Sequence, residues 1–187
     1  IITKHFYDKT VLFKLKGTGN EYCKQIEIDN DKSNYTVKFH NTAGKYFYAK
    51  FKYDKYETDY YHYNEDNTPY IRNDFYMIKE LYNQDGLKIE QHFYTYKSGK
   101  TILSDNIPTF KFKYDKHGNL IEKGYYTRDN KLTMFTGFAV TKNKYDERNN
   151  LIEMSNHDQY ENLLEVGGYA VIKNEYDNNN NLIETKS

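Results

Sequence analysis

"YDKHGNLIE" (residues 114–122), "YDERNNLIE" (145–153) and "YDNNNNLIE" (176–184) are three versions of one phrase. A fourth, "YNQDGLKIE", opens at Tyr82, so successive tyrosines are spaced 114−82=32, 145−114=31 and 176−145=31 residues. A fainter version, "YDKYETDYY", starts at Tyr53, and the first fifty residues keep the same strand-and-turn style without the phrase. Self-similarity at a fixed period of this size is the mark of an array of supersecondary units. The chain therefore divides into a divergent N-terminal hairpin region, 1–52, running on into a repeat array, 53–187.

Each phrase has the physics of a hairpin turn. The residue four after the tyrosine is Gly86, Gly118, Asn149 or Asn180, the two types that most readily take positive φ. Asp115, Asp146 and Asp177 stand three residues earlier, where a carboxylate can accept backbone N–H groups of the turn. Together they predict a type I turn closed by a left-handed residue, the three-residue hairpin loop with a bulge. Because Gly and Asn exchange at that position, its requirement reads as a backbone conformation alone. Around the Tyr114 turn, Tyr114 should face Leu120 and Lys113 should face Ile121. A second turn is expected in each unit, at "NEDNTP" (64–69), "TYKSGK" (95–100), "TRDNKL" (127–132) and "DQYENL" (158–163), each with Gly or Asn near its end.

Between turns, apolar and polar residues alternate with period two, as in Phe110, Phe112 and Tyr114 against Lys111 and Lys113, which is the strand signature. No window carries apolar residues at helical spacing for a dozen residues. The expected fold is all-β: an antiparallel meander of repeated β-hairpins in units of about 31 residues, forming a single-layer or weakly curled, elongated sheet. The last hairpin requires residues 182–186 to lie as a strand beside 169–177, at an edge.

Composition agrees with a thin structure. Only 37% of the 187 residues are hydrophobic and the mean hydropathy is −1.02, but 22 Tyr and 11 Phe supply rings that can cover a sheet while their polar tips stay wet. With 27 basic and 27 acidic residues interspersed, the electrostatic footprint of a nucleic-acid binder is missing. One cysteine, Cys23, excludes an internal disulfide framework. No apolar run reaches membrane-spanning length. The chain opens at Ile1 without a methionine, and a removed leader is expected.

The phrase "YDxxGNLIE", intact at Tyr114 and with Asn for Gly at Tyr145 and Tyr176, resembles the YD-type β-repeats of bacterial secreted and surface proteins, whose larger relatives are the Rhs-like shells. The resemblance covers residues 82–187 well and 53–83 loosely. It implies an all-β repeat structure, secretion or display at a bacterial cell surface, and a scaffolding or interaction role. In such repeats the motif residues, here Tyr82, Gly86, Tyr114, Asp115, Gly118, Tyr145, Asp146, Asn149, Tyr176, Asp177 and Asn180, are structural. This chain has a longer unit than the shell type and lacks a self-cleaving core or a toxin end.

No phosphate loop, zinc-protease helix, paired-cysteine site, nucleophile elbow or dinucleotide fingerprint occurs. "KGTGN" (16–20) reads as a hairpin turn, and the six histidines are scattered. "DNDKSN" (29–34) starts like a calcium loop but puts Asn34 where the sharp-turn glycine belongs and His40 where the bidentate glutamate belongs. "NYT" at Asn34 matches a glycosylation acceptor. Glu90, Glu122, Glu153 and Glu184 recur at one repeat position and are expected to pair with lysines across strands. No enzyme, cofactor or metal is expected. The one candidate binding surface is the aromatic run of residues 46–63, with Tyr46, Tyr48, Tyr53, Tyr56, Tyr60, Tyr61 and Tyr63 beside Lys and carboxylates, the combination that anchors protein partners or stacks on sugar faces. A protein partner is the leading expectation, a glycan the second, and a toxin-associated shell or immunity fragment a third.

Overall fold

The computed structural model describes the backbone of the strands between residues 11 and 53, and all of residues 54–187 except 55, 65 and 72. Among the described residues fourteen strands follow one another: β1 (Val11–Leu15), β2 (Tyr22–Ile28), β3 (Asn34–His40), β4 (Tyr46–Tyr53), β5 (Glu57–Asn64), β6 (Met77–Tyr82), β7 (Lys88–Lys97), β8 (Lys100–Leu103), β9 (Thr109–Tyr114), β10 (Leu120–Tyr126), β11 (Val140–Tyr145), β12 (Leu151–His157), β13 (Val171–Tyr176) and β14 (Leu182–Lys186). No helix occurs among the described residues. The protein is an all-β antiparallel meander, as the sequence predicts.

Two compact units are present. The first, Ile1–Leu81 with Phe93–Ser104, pairs β1 through β6 in chain order and adds β8 against the second half of β7. The second, Tyr82–His92 with Asp105–Ser187, starts from residues 88–92 of β7 and continues through β9, β10, β11, β12, β13 and β14 without closing.

The quoted phrase is the hairpin turn it promised. Asp115 N–H donates to Asn119 O at 3.0 Å and Gly118 N–H donates to Asp115 O at 3.1 Å, with Gly118 at φ 86°. The Asp115 Oδ1 accepts the N–H groups of His117 and Asn119 at 2.8 and 2.9 Å, and Asn119 Nδ2 donates to its Oδ2 at 3.0 Å. Asp146 and Asp177 repeat this arrangement with Asn150 and Asn181, Asn149 and Asn180 taking φ 65° and 64°. At the Tyr82 copy, Asn83 does the same with its amide oxygen. The Tyr53 copy differs: Asp54 and Glu57 close a two-residue turn.

The facing of the strands is corrected by one residue. Tyr114 pairs with Leu120, but Lys113 pairs with Glu122, because Ile121 is extruded in a bulge. The left-handed residue that closes the loop adds a residue to the second strand. The same shift at Ile152 puts Glu153 opposite Lys144, and at Ile183 puts Glu184 opposite Glu175. Glutamates at this position do meet lysines: Lys113 to Glu122 at 2.7 Å, Lys144 to Glu153 at 2.8 Å, Lys111 to Glu90 at 3.1 Å. In the last hairpin Lys186 lies between Glu175 and Glu184, 2.8 and 2.9 Å away.

The tyrosine of the phrase has a role between hairpins. Pairing of β10 with β11 covers only Glu122↔Lys142 to Gly124↔Val140, and the strands part toward the turn. Leu120 O is therefore bonded by side chains, the Asn143 amide at 2.9 Å and the Tyr145 hydroxyl at 3.1 Å. Asn174 and Tyr176 do the same for Leu151 O, and Tyr114 for Lys88 O. A half-buried carbonyl left bare would cost about 1–3 kcal/mol, so the phenol spans the gap the bulge opens.

The Gly-to-Asn exchange is also more than a backbone equivalence. Asn119 Nδ2 donates to Asn149 Oδ1 at 2.8 Å and Asn150 Nδ2 donates to Asn180 Oδ1 at 3.0 Å. Asparagine at the left-handed position thus links one turn to the next.

The second turns at 64–68, 127–131 and 158–162 close with the same backbone bonds as the first type. The left-handed residue is Asn67, Asn130 or, against expectation, Glu161, whose carboxylate meets Lys142 at 2.6 Å. The turn at 95–100 is instead a two-residue loop with Ser98 and Gly99 at positive φ. A third turn, unforeseen, follows at Phe135↔Phe138 and Val166↔Tyr169, with Thr136–Gly137 and Gly167–Gly168 at positive φ. In the second unit Tyr125, Ala139 and Val140 are the buried core, and Phe110, Phe135 and Phe138 surround Tyr125 with centroids 4.9–5.4 Å away. Gly124 lies under the ring of the residue two on: a Cβ there would come within 2.9 Å of Tyr126.

The turn aspartates set an acid limit. Hydrogen bonding to the Asn side chain four residues on is the largest cause that holds Asp115, Asp146 and Asp177 below the usual carboxylate range; backbone N–H groups add to it and burial opposes it. A depressed folded-state pKa gives stability that is present above the unfolded value, about 3.9, and lost as pH falls through the folded value. The thermal unfolding midpoint should thus fall as pH drops below about 4. The Asp146→Asn variant, which Asn83 shows to be a workable turn former, should have a shallower acid slope; an unchanged slope would remove the Asp146 turn as one of its sources.

Candidate functional site

In the first unit, β5 pairs Asp59 with Lys79 and Tyr61 with Met77 of β6. Strand alternation puts Glu57, Asp59, Tyr61 and Tyr63 on one face and Thr58, Tyr60 and His62 on the other. On the first face the rings of Tyr61 and Tyr63 stack at 6.2 Å, and both meet Tyr76 at 6.4 Å. Tyr96 stands edge-on to Tyr76 at 5.7 Å. Tyr76 is buried and its hydroxyl bonds that of Thr101, while Tyr96 is 38% exposed. Offset and edge-on rings at these distances stabilise one another beyond the area they bury, so the surface is stiff.

A charged cluster adjoins the rings. The Lys79 ammonium hydrogen-bonds Glu57 and lies 3.5 Å from Asp59 Oδ1, which has no directed hydrogen bond. The Tyr61 hydroxyl donates to Asp59 Oδ2 at 3.0 Å. Asp59 is only 6% exposed. Burial, then the Asp59 carboxylate, raises the Tyr61 hydroxyl well above the usual phenol range, and burial raises Tyr94. The Tyr61 phenol therefore stays protonated and donates to Asp59.

The predicted run is thereby divided. Tyr61 and Tyr63 belong to the cluster, whereas Tyr60 faces the opposite way and donates to Glu80 at 3.0 Å. On that face His62 packs on Phe75 and Phe75 on Phe93. Tyr56 is exposed in the turn before β5. Tyr48 is the backbone register partner of Tyr63, and Tyr53 that of Thr58; Tyr46 pairs with His40, and the side chains of all three lie outside the described residues. So do the residues 29–33, which carry the calcium-like pattern, residues 16–20, and the side chains of Cys23 and Asn34. Tyr76 and Tyr96 were missed by sequence reasoning. The "YTY" alternation at 94–96 was the available signal, since it matches Tyr61 and Tyr63 in spacing.

Among the described residues no three His, Cys, Asp or Glu side chains gather as a metal ion requires, and no helix there is long and apolar enough to cross a membrane. No protein-family model matches the chain, and the search of curated proteins found no match.

Proposed function

We propose that this is a non-enzymatic, exported bacterial β-repeat module of the YD type that presents its sheet surface to a protein partner. The observation that carries the reading is the stiff cluster of Tyr61, Tyr63, Tyr76 and Tyr96 beside a carboxylate–lysine network. Tyrosine anchors of low conformational entropy, rimmed by charge, are what protein recognition sites use. The residues with chemical potential in the repeated phrase support it from the other side, because Asp, Asn, Tyr, Lys and Glu are spent on turns and inter-strand bonds. Exposed Tyr96 also suits stacking on a sugar ring, which keeps carbohydrate recognition as the second reading.

Affinity capture from exported bacterial proteins distinguishes them. The chain should retain a partner that the Tyr63→Ala/Tyr96→Ala variant loses by at least about tenfold, as removal of two anchor residues implies. Equal capture by both proteins would sink the reading. Saturable binding to immobilised oligosaccharides, abolished by the same variant, would replace it with the second.

A further inference from the structure

We infer that Ser155 is a nucleophile that accepts a small acyl group from an activated ester or thioester, with His157 as its general base. The inference goes beyond the interaction reading and concerns one acyl group fixed to the chain, not turnover. Thirty-one residues earlier the same two positions are Gly124 and Tyr126, where the tyrosine ring lies over the glycine. The polar pair is therefore something this hairpin adds to the repeat.

Ser155 and His157 stand two apart on β12 and so share one face. The His157 Nδ1 lies 3.2 Å from Glu161 O. A carbonyl can only accept, so the neutral ring carries its proton on Nδ1, and the bare Nε2 accepts from the Ser155 hydroxyl at 2.9 Å. A hydroxyl, a base within hydrogen-bond reach and a third group that orients the base are the parts of an activated nucleophile.

The orienting residue is itself an outlier. Glu161 holds φ 65° where the matching turns use Asn67 and Asn130, and a glutamate is strained in a region that asparagine tolerates. It gives its carbonyl to His157 and its carboxylate to the Lys142 ammonium, 2.6 Å away. Lys142 is the register partner of Ser155 on β11, a cation of the sign needed where an acyl oxygen becomes negative. In the transfer, Ser155 Oγ attacks the acyl carbon and its proton passes to His157 Nε2. The tetrahedral adduct then breaks its bond to the leaving alkoxide or thiolate, and the ring returns the proton to that group. Ser155 is 7% exposed, which restricts the donor to a small acyl group.

The test treats the full chain with para-nitrophenyl acetate and maps the acetyl groups by peptide mass spectrometry. An acetyl group is expected on Ser155 and not on Ser98 or Ser104, formed at least about a hundredfold more slowly in His157→Gln, as loss of a general base implies. In the unaltered chain its rate should fall on acidification from about pH 8 to about pH 5, because a protonated ring cannot take the hydroxyl proton. The charged groups facing the ring are Asp158 and Glu161 from the turn after β12 and Lys142 from β11, while β13 faces the pair with Val171. Absence of the acetyl group from Ser155, or a rate indifferent to His157→Gln or to pH, overturns the inference. Partner capture through Tyr63 and Tyr96 belongs to the first unit, so the two readings fail separately.

Discussion

Replacing Tyr125 by alanine is expected to destabilise the second unit by about 3–5 kcal/mol, the range for removing a buried aromatic side chain. The ring is 4% exposed and is the hub on which Phe110, Phe135 and Phe138 converge, with the Lys123 ammonium 5.3 Å above it. Without it the third turn loses an anchor that Phe135 and Phe138 share, and Phe135 keeps only its ring contact with Phe110 at 5.7 Å. Tyr125→Phe should cost less than about 1 kcal/mol, because the packing and not the hydroxyl is at stake. Urea midpoints for the two variants check this. A Tyr125→Ala loss below about 1 kcal/mol would show that the thin sheet is held by its backbone ladders and ion pairs.

The next repeat shows why this core could not be read from the phrase. Thirty-one residues on, Phe110 and Tyr125 become Thr141 and Asn156, and the two rings are replaced by a hydrogen bond, Thr141 Oγ1 to Asn156 Oδ1 at 3.0 Å. Likewise Gly124 and Tyr126 become Ser155 and His157, whose side chains meet at 2.9 Å. The hairpin turns were legible because their bonds join residues at most four apart: Asp115 explains Asn119 and Gly118 without knowledge of anything distant. What joins hairpins was not legible. The bulge at Ile121 depends on which strand receives the extra residue, and only once it parts β10 from β11 does a phenol at Tyr145 have a carbonyl to reach. For the same reason Asn149 and Gly118 looked interchangeable: the partner amide of Asn149 lies thirty residues away. In the tyrosine run, alternation separates Tyr60 from Tyr61, but Tyr76 and Tyr96 join Tyr61 and Tyr63 only through strand order.

Lys79→Met should destabilise the first unit by about 3 kcal/mol near neutral pH. Taking one partner from a buried ion pair costs about 3–5 kcal/mol because the other charge stays behind without compensation. Here two carboxylates, Glu57 and the 6% exposed Asp59, would be left side by side. The lower end applies because Lys79 keeps a quarter of its side chain in solvent. Burial works against the charged form of Lys79, but the hydrogen bond to Glu57 and the charges of Asp59 and Glu57 prevail, and its pKa is raised. A raised lysine pKa gives stability that is fully present below the ordinary value of about 10.5 and lost as pH climbs through the folded value. The difference between the two proteins should therefore be constant through neutral pH and close in strong alkali. The double variant Asp59→Leu/Lys79→Met isolates the cause. If the stranded charge is what destabilises, removing both partners should recover part of the loss, since an apolar pair of similar volume fills a buried site without a desolvation cost. Recovery would be incomplete, because the Tyr61 hydroxyl would lose the carboxylate that accepts from it. A double variant less stable than Lys79→Met would instead place the stabilisation in the Asp59–Tyr61 bond, and with it the stiffness of the tyrosine surface.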